Sequence, residues 1–469
     1  MASKDELGYF AFLLFSVIFG WIVGRLPAGA PRLWLSSGIG LLAILLFCGS
    51  SCLHTFFTIV VNALIVTKLR DCHKWSFAFC FGYLAFFRTA EHFGLPETTE
   101  FSNAVQLILT LKAVGVAFEI NDTQLRRKGL SPFASSSPNF SPTNTYANVD
   151  PGFVNIIHYC LCFMGIMTGP YFKYKTFDDM INSDILNKMP REKLALQRMR
   201  ILPFYCGLFL TLSAVFNIST LYDEIFYATT NAPYRFLVVM ALFVWFRMKF
   251  YIAWVLAESA CIAAGLGIYP AICKPKPGHG PTEPEKIPVE VDEETEYSFE
   301  TIYNIDEYAV EFVPTVREAL KSWNMTVQYW LAWHVYRRVP MKSIRTVVVM
   351  FVSAYWHGLH GGYYLSLLTV PLMLMAESWI SRYDSFGAKF ANWFLRMRAF
   401  EYMSVGFMCL TGARTWRYWS SLYFAGHIIA VVVFVAGQVY RKMTRAKRHA
   451  AVNNKAVNVE GATGKAHFE

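Results

Sequence analysis

Gly8-Tyr9-Phe10-Ala11-Phe12-Leu13-Leu14-Phe15-Ser16-Val17-Ile18-Phe19-Gly20-Trp21-Ile22-Val23-Gly24-Arg25 opens the chain with an apolar run that carries no charge before Arg25. A hydrocarbon core of about 30 Å takes roughly 20 such residues in a helix. No small-residue cleavage site follows, so the run is read as a retained span and not as a removed leader. Lys4-Asp5-Glu6-Leu7 spells a retention signal that is read only at a C-terminus, and it carries no address here. Similar runs recur near residues 33–50, 52–67, 75–93, 101–119, 152–169, 201–221, 233–268, 343–357, 361–380, 395–413 and 418–440. Across 469 residues, 55% are hydrophobic, 17% aromatic and only 16% charged, which excludes an ordinary soluble enzyme. The expected fold is all-α: a polytopic helical membrane protein of about 10–12 spans, with re-entrant segments around a central cavity, forming one membrane-embedded domain over residues 1–440.

The stretch from Tyr234 to Gly267 is too long for one crossing and holds Arg247-Met248-Lys249 in its middle. It is expected to be two segments, or one helix bent at a polar break. The net charge of +10 is distributed through the loops. Arg25 and Arg32, then Lys68, Arg70 and Lys74, then Arg126, Arg127 and Lys128 follow alternate spans, while Glu91, Glu97 and Glu100 lie between them. The positive-inside rule puts the basic loops in the cytosol, together with a basic tail over 441–469 that reads as disordered. Only one apolar run separates Arg126–Lys128 from the basic stretch 173–200; a re-entrant segment ending at Gly165-Ile166-Met167-Thr168-Gly169-Pro170 reconciles the two. Residues 129–150, rich in Ser, Pro and Asn, and residues 274–296 read as flexible loops. The ten cysteines lack metal or redox spacing and are expected to be thiols, Cys48 and Cys52 included. No internal repeat supports a transporter built from inverted halves.

Chemistry is sought where polar groups interrupt apolar helices, because an ionisable residue at membrane depth is costly. His357 ends such a run in Tyr355-Trp356-His357-Gly358-Leu359-His360-Gly361. Asn324 lies at the far end of an aromatic stretch, and the turn Val339-Pro340 falls midway between the two. A helical hairpin with arms of about 22 Å would bring Asn324 and His357 to one end, leaving Arg337, Arg338, Lys342 and Arg345 at the other. An imidazole can take the proton of an alcohol near neutral pH. A carboxamide can donate to a developing oxyanion. A thiolate leaving group, with a pKa near ~8.5 by analogy with cysteine, needs no strong general acid. Acyl transfer from coenzyme A to a lipid alcohol therefore fits this pair. Serine-elbow, zinc-helix, phosphate-loop and dinucleotide motifs are absent from the sequence. His360 has no neighbouring third ligand and is read as a hydrogen-bonding residue, so no metal is expected. Asn324-Met325-Thr326 also spells a glycosylation acceptor, a reading opposed to the catalytic one.

Trp323-Asn324-Met325-Thr326 and Tyr355-Trp356-His357-Gly358 resemble the Asn and His segments of the membrane-bound O-acyltransferase family. Further matching blocks are Asn103-Ala104-Val105-Gln106-Leu107, Gly165–Pro170, Arg247-Met248-Lys249-Phe250-Tyr251, Glu258–Gly265 and Tyr303-Asn304-Ile305-Asp306. The likeness covers most of the chain and is nearest to the branch that acylates lysophosphatidylinositol. It implies an endoplasmic-reticulum enzyme in the remodelling of phospholipids, which re-acylates the sn-2 hydroxyl of lysophosphatidylinositol, with arachidonoyl-coenzyme A as a favoured donor. It implies His357 and Asn324 as catalytic residues, acyl-coenzyme A as co-substrate, no resident cofactor, and the bilayer and a lysophospholipid, but no nucleic acid, as partners. Trp323, Tyr355, Trp356, His360, Arg247 and Lys249 are candidate substrate contacts. Lys173 and Lys175 are candidates for the coenzyme A phosphates. Lys112 and Glu258 are weaker candidates for a headgroup or pantetheine path, and Arg88 with Glu91 reads as a structural pair. The alternatives are a lysophosphatidylcholine or lysophosphatidylserine acyltransferase of the same family and, in a different class, a lipid transporter or scramblase.

Overall fold

The computed structural model describes residues 4–131, 146–183, 188–287, 295–382 and 385–463, with side-chain surroundings from Leu7 to Arg445. Helices dominate, and the described strands are two antiparallel pairs of two residues each. Among the described residues, six helical runs are long and apolar enough to cross a membrane: Leu7–Arg25, Ala30–Lys68, Glu100–Arg127, Arg191–Val215, Ala232–Ala264 and Gly361–Ile380. Gly412–Ser421 and Ala425–Arg445, bent by 71°, make a seventh if the pair is one span. Large apolar side chains such as Leu46 and Leu53 point outward, as hydrocarbon contact permits.

This count is smaller than the sequence runs suggested, and the reasons are local. The expected span at 75–93 is a 17-residue helix, Cys72–Arg88. The run at 343–357 is a 13-residue helix, Arg345–His357. The run at 395–413 falls in the helix Phe386–Cys409, which carries Lys389, Arg396, Arg398 and Glu401. The run at 152–169 holds only the nine-residue helix Phe153–Leu161, followed by irregular chain in which Phe163, Met164, Ile166 and Met167 are buried. Protein therefore covers the non-helical backbone there, and the Gly169–Pro170 peptide is cis.

The segment 232–264 is one unbroken 33-residue helix and not two segments. No break is needed because Glu311 pairs with Arg247 in its middle. This helix packs against Lys4–Arg25 on one side and Phe386–Cys409 on another. It thereby joins two halves of the core. One half centres on Val116, Tyr159, Phe163 and Ile262, the other on Val370, Met403, Tyr418 and Trp419. Between them a third cluster, with Phe81, Leu111, Trp330 and Trp356, holds the elements that bear Asn324 and His357. Glu100–Arg127 is the most enclosed span; its Gln106, Lys112, Glu119, Asn121 and Asp122 all face protein.

Much of the expected loop at 274–296 is folded: Pro275–Lys276 pairs with Gly280–Pro281, and Tyr269–Pro270 pairs with Tyr297–Ser298. A glycine makes this compact. Gly278 has φ +67 and lies where any Cβ would strike the Tyr329 ring. Residues 288–294 lie outside the described residues. So do 132–145 of the expected loop at 129–150, while Arg126 binds the Ala147 carbonyl (2.7 Å) and Asn148 (3.0 Å). The tail expected to be disordered continues the last helix, Ala425–Thr463, because residues 441–463 are rich in the strong helix formers Ala, Lys and Arg; residues 464–469 lie outside the described residues. All ten cysteines are free thiols.

Candidate active site

His357 is the last residue of the helix Arg345–His357. Aromatic rings fix its imidazole: Trp356 at 4.7 Å, Phe407 edge-on at 5.0 Å and Tyr363 stacked at 5.8 Å. No described residue hydrogen-bonds its ring, so no carboxylate orients it in the manner of a triad. The helix end itself is held instead. Arg88 donates from Nη1 to the Tyr355 carbonyl (2.8 Å) and from Nη2 to those of Trp356 (2.6 Å) and His357 (3.2 Å). Its Nε–H goes to Asn103 Oδ1 (3.2 Å). These carbonyls belong to the last turn, where a helix lacks its own donors. Arg88 therefore does not pair with Glu91. Its helix stops at Arg88 and passes into the 3₁₀ turn Ala90–Phe93, so the two residues do not share a helical face.

Asn324 sits in the left-handed region, φ 50 and ψ 52, just before the helix Met325–Leu331. Asn tolerates this conformation better than most residues. The loop beside it is clamped: Met325 N–H donates to the Asn304 carbonyl (2.7 Å), and the Thr326 hydroxyl donates to Asn304 Oδ1 (2.6 Å). Glu258 accepts from the backbone N–H groups of Asn304 (2.8 Å) and Ile305 (3.2 Å), and is itself paired with Arg198. Glu258 is thus spent on holding the loop and lines neither of the cavities described next. The Asn324 Oδ1 is buried without a hydrogen-bond partner, leaving its carboxamide uncommitted. The sequon is unsuited to a glycan, since Thr326 is fully buried and bonded on both sides.

Asn324 and His357 line the same cavity, of about 450 Å³, together with Trp323, Trp356, Arg247 and Asn103. The remaining wall is mostly aromatic and aliphatic, as a hydrocarbon chain requires. A second cavity of about 840 Å³ is lined by Arg126, Lys173, Lys276, Arg317, Lys321 and Arg337, against Glu119 and Asp122. Leu320, Gln328 and Leu331 belong to both walls. Gln328 and Leu331 share one face of the helix Met325–Leu331 and form a stripe that divides a cation-lined chamber from an apolar one, and Asn324, just before that helix, lines the apolar side.

The other candidates separate cleanly. Arg247 binds Glu311 through Nε (2.8 Å) and Nη2 (3.2 Å), and its Nη1 is buried with no hydrogen-bond partner. Trp323 packs among Phe250, Tyr251 and Trp254. Trp356 donates to the Leu107 carbonyl (3.0 Å) while lining the cavity. Tyr355 faces away, donating to the Phe81 carbonyl (2.9 Å), and His360 and Lys249 are exposed outside both cavities. Lys173 lines the cationic chamber, but Lys175 is held by Asp178 (3.5 Å) and Asp179 (2.7 Å) outside it. Lys112 lies over the Tyr159 and Phe172 rings in the core, in neither cavity. Of the basic turn only Arg337 reaches the chamber. Arg338 makes both its Nη2 contacts with Asp122 (2.8 and 3.0 Å), and Arg345 binds the Val339 carbonyl. Sequence does not single out Arg126, Lys276, Arg317 and Lys321 as site residues, because their common orientation arises only when three distant segments meet.

Residues 83–410 match the model of the MBOAT, membrane-bound O-acyltransferase family. The chain belongs to this family. Among similar proteins, the membrane-bound acylglycerophosphatidylinositol O-acyltransferase MBOAT7 of Bos taurus is 40% identical over 444 residues, covering 92% of this chain and 93% of the relative. The Homo sapiens protein of the same name is 39% identical over 468 residues, covering 96% and 97%. The membrane-bound acylglycerophosphatidylinositol O-acyltransferase frj of Drosophila melanogaster is 30% identical over 450 residues, covering 91% and 90%. The family match spans both Arg88 and His357, so the arginine clamp lies inside the shared region of this membrane-bound O-acyltransferase.

Proposed function

We propose that this membrane enzyme transfers a polyunsaturated acyl chain, arachidonoyl above all, from acyl-coenzyme A to the sn-2 hydroxyl of lysophosphatidylinositol. The acylglycerophosphatidylinositol O-acyltransferases it resembles over nearly their whole length support that substrate. The observation that carries the reading is the shared cavity of His357 and Asn324, separated from a cationic chamber by Leu320, Gln328 and Leu331. Coenzyme A phosphates belong among the cations, and the thioester at the dividing stripe. The lysolipid hydroxyl approaches within the apolar cavity. Arg126 and Arg337, which the charge rule assigns to the cytosol, line the cationic chamber, consistent with a cytosolic acyl donor at the endoplasmic reticulum.

His357 takes the hydroxyl proton as the alcohol oxygen attacks the thioester carbonyl. The tetrahedral oxyanion is met by an amide N–H of Asn324. The carbon–sulfur bond then breaks, and the thiolate recovers the proton from the imidazolium, so the products are phospholipid and free coenzyme A thiol. Such a base contributes about 10²–10⁴ in rate. An oxyanion donor contributes about 10²–10³. The second product also sets the assay. Purified protein given one acyl-coenzyme A and a panel of lysolipids should release thiol fastest with lysophosphatidylinositol. Faster turnover of lysophosphatidylcholine or lysophosphatidylserine would move the assignment elsewhere in the family, and lipid movement without thiol release would remove it from the acyltransferases.

A further inference from the structure

After Leu331, the helix that starts at Met325 widens into a π-helical turn, Ala332–Tyr336, a feature frequent at functional sites. His334 stands in that turn. Its side chain is 5% exposed and lines the cationic chamber. The ring is braced by Phe118 at 4.7 Å and Trp330 at 5.2 Å, yet neither Nδ1 nor Nε2 has a hydrogen-bond partner. Two unsatisfied nitrogens on a buried ring are expensive unless a ligand supplies their partners. Burial, reinforced by the Arg338 and Lys173 cations, holds the imidazole well below its usual range, so the ring is neutral at pH 7. A neutral imidazole offers one donor and one acceptor. That is a poor match to a phosphate, which needs donors only; the acceptor nitrogen calls for a donor, and an amide N–H is one.

Position selects which amide. Leu331 is part of the dividing wall, and Arg337 is one of the chamber's cations. His334 lies between them, three residues beyond the wall, about 4 Å along the axis. In an acyl-coenzyme A whose thioester sits at the wall, two methylenes separate the sulfur from the first amide of the pantetheine arm. Resting on the acyl-coenzyme A reading above, we propose that His334 is the residue that binds this amide, one ring nitrogen accepting from the amide N–H. It grips the uncharged arm of the donor, while the surrounding cations take the phosphates.

The test uses the purified full-length protein and thiol release. His334→Phe keeps the ring packing and removes both nitrogens; the KM for acyl-coenzyme A should rise on the order of ten-fold, with kcat and the lysolipid KM within about two-fold. His334→Gln, which restores one donor and one acceptor, should bring the KM most of the way back. Inhibition by adenosine 3′,5′-bisphosphate, which has the phosphates but no arm, should be the same in both variants as in the parent. On the unmodified protein, a donor whose first pantetheine amide is replaced by an ester should show the same KM increase, an arm that does not depend on any variant folding. An unchanged KM in His334→Phe or with the ester donor overturns the proposal, as does weakened inhibition by the bisphosphate, which would put His334 at the phosphates. An unmodified protein that releases no thiol with any lysolipid would instead defeat the acyltransferase reading on which the proposal rests.

Discussion

Arg88→Met removes the clamp on the helix that ends at His357, and Arg88 lines neither cavity, which makes it a sharp probe of how His357 is positioned. The substitution deletes donors to three consecutive carbonyls, those of Tyr355, Trp356 and His357, and to Asn103. Hydrogen bonds from a charged group contribute about 1.5–3 kcal/mol each, and an acceptor left buried without a partner costs about 1–3 kcal/mol. Those losses are concentrated on one helix end, so the expected response is local: the last turn frays and the imidazole leaves its place among Trp356, Tyr363 and Phe407. A misplacement of about 1 Å at the reacting group costs on the order of 10²-fold in rate. Steady-state thiol release should therefore show kcat reduced by about 30- to 100-fold, with the KM for acyl-coenzyme A changed by no more than about two-fold. Arg88→Lys, with one compact ammonium in place of a planar fork, should recover only part of the loss. A kcat within about three-fold of the parent in Arg88→Met, or a loss confined to KM, would refute the positioning role.

Two further expectations concern stability. Gly362 N–H donates to the Leu410 carbonyl (2.7 Å), and a Cβ at 362 would press on the carbonyls of Gly406 and Leu410. Gly362→Ala should accordingly destabilise the helix pair by about 1–3 kcal/mol, seen as a lower melting temperature in detergent; an unchanged melt would contradict the close approach. His279, enclosed by Tyr329 and Trp333, is pushed down to about 3, first by burial and then by the Lys173 charge. Its imidazole takes up a proton near pH ~6.5 when the chain unfolds, so the unfolded state binds more protons and stability falls as the pH drops below that value. The loss should reach about 2 kcal/mol by pH 5, and His279→Gln should flatten the difference between melts at pH 7 and pH 5; a slope identical to the parent's would exclude the group.

The sequence made the central pair legible because its geometry is local. Asn324 and His357 flank a single turn at Val339-Pro340, and a symmetric hairpin returns both to one end whatever the rest of the chain does. The apolar runs were equally plain, but how deep each lies was not. Arg345–His357 and Phe153–Leu161 read as spans from hydropathy and proved too short, since a short apolar helix shows the same local hydropathy as part of a full span. What escaped was set by partners far along the chain. Arg88 reaches carbonyls 267 to 269 residues away, so its nearest acid in sequence, Glu91, was a false lead. Glu311 lies 64 residues from Arg247 and keeps the 33-residue helix whole where an unpaired guanidinium suggested a break. Glu258 looked like a path residue, yet it bonds the loop that aims Asn324. The cations of the polar chamber belong to the same class: Lys276 and Arg317 stand in separate short segments, and nothing in their neighbours announces a common cavity.

The claim that His357 is the base that activates the lipid hydroxyl is tested most directly by coenzyme A thiol release from purified His357→Ala protein, supplied with arachidonoyl-coenzyme A and lysophosphatidylinositol. The imidazole lines the cavity wall without carrying any hydrogen bond among the described residues, so its removal should leave folding and expression near normal. Turnover should fall by at least about 10²-fold, toward background. Turnover equal to the parent's, from protein with a parental melting temperature, would contradict the account.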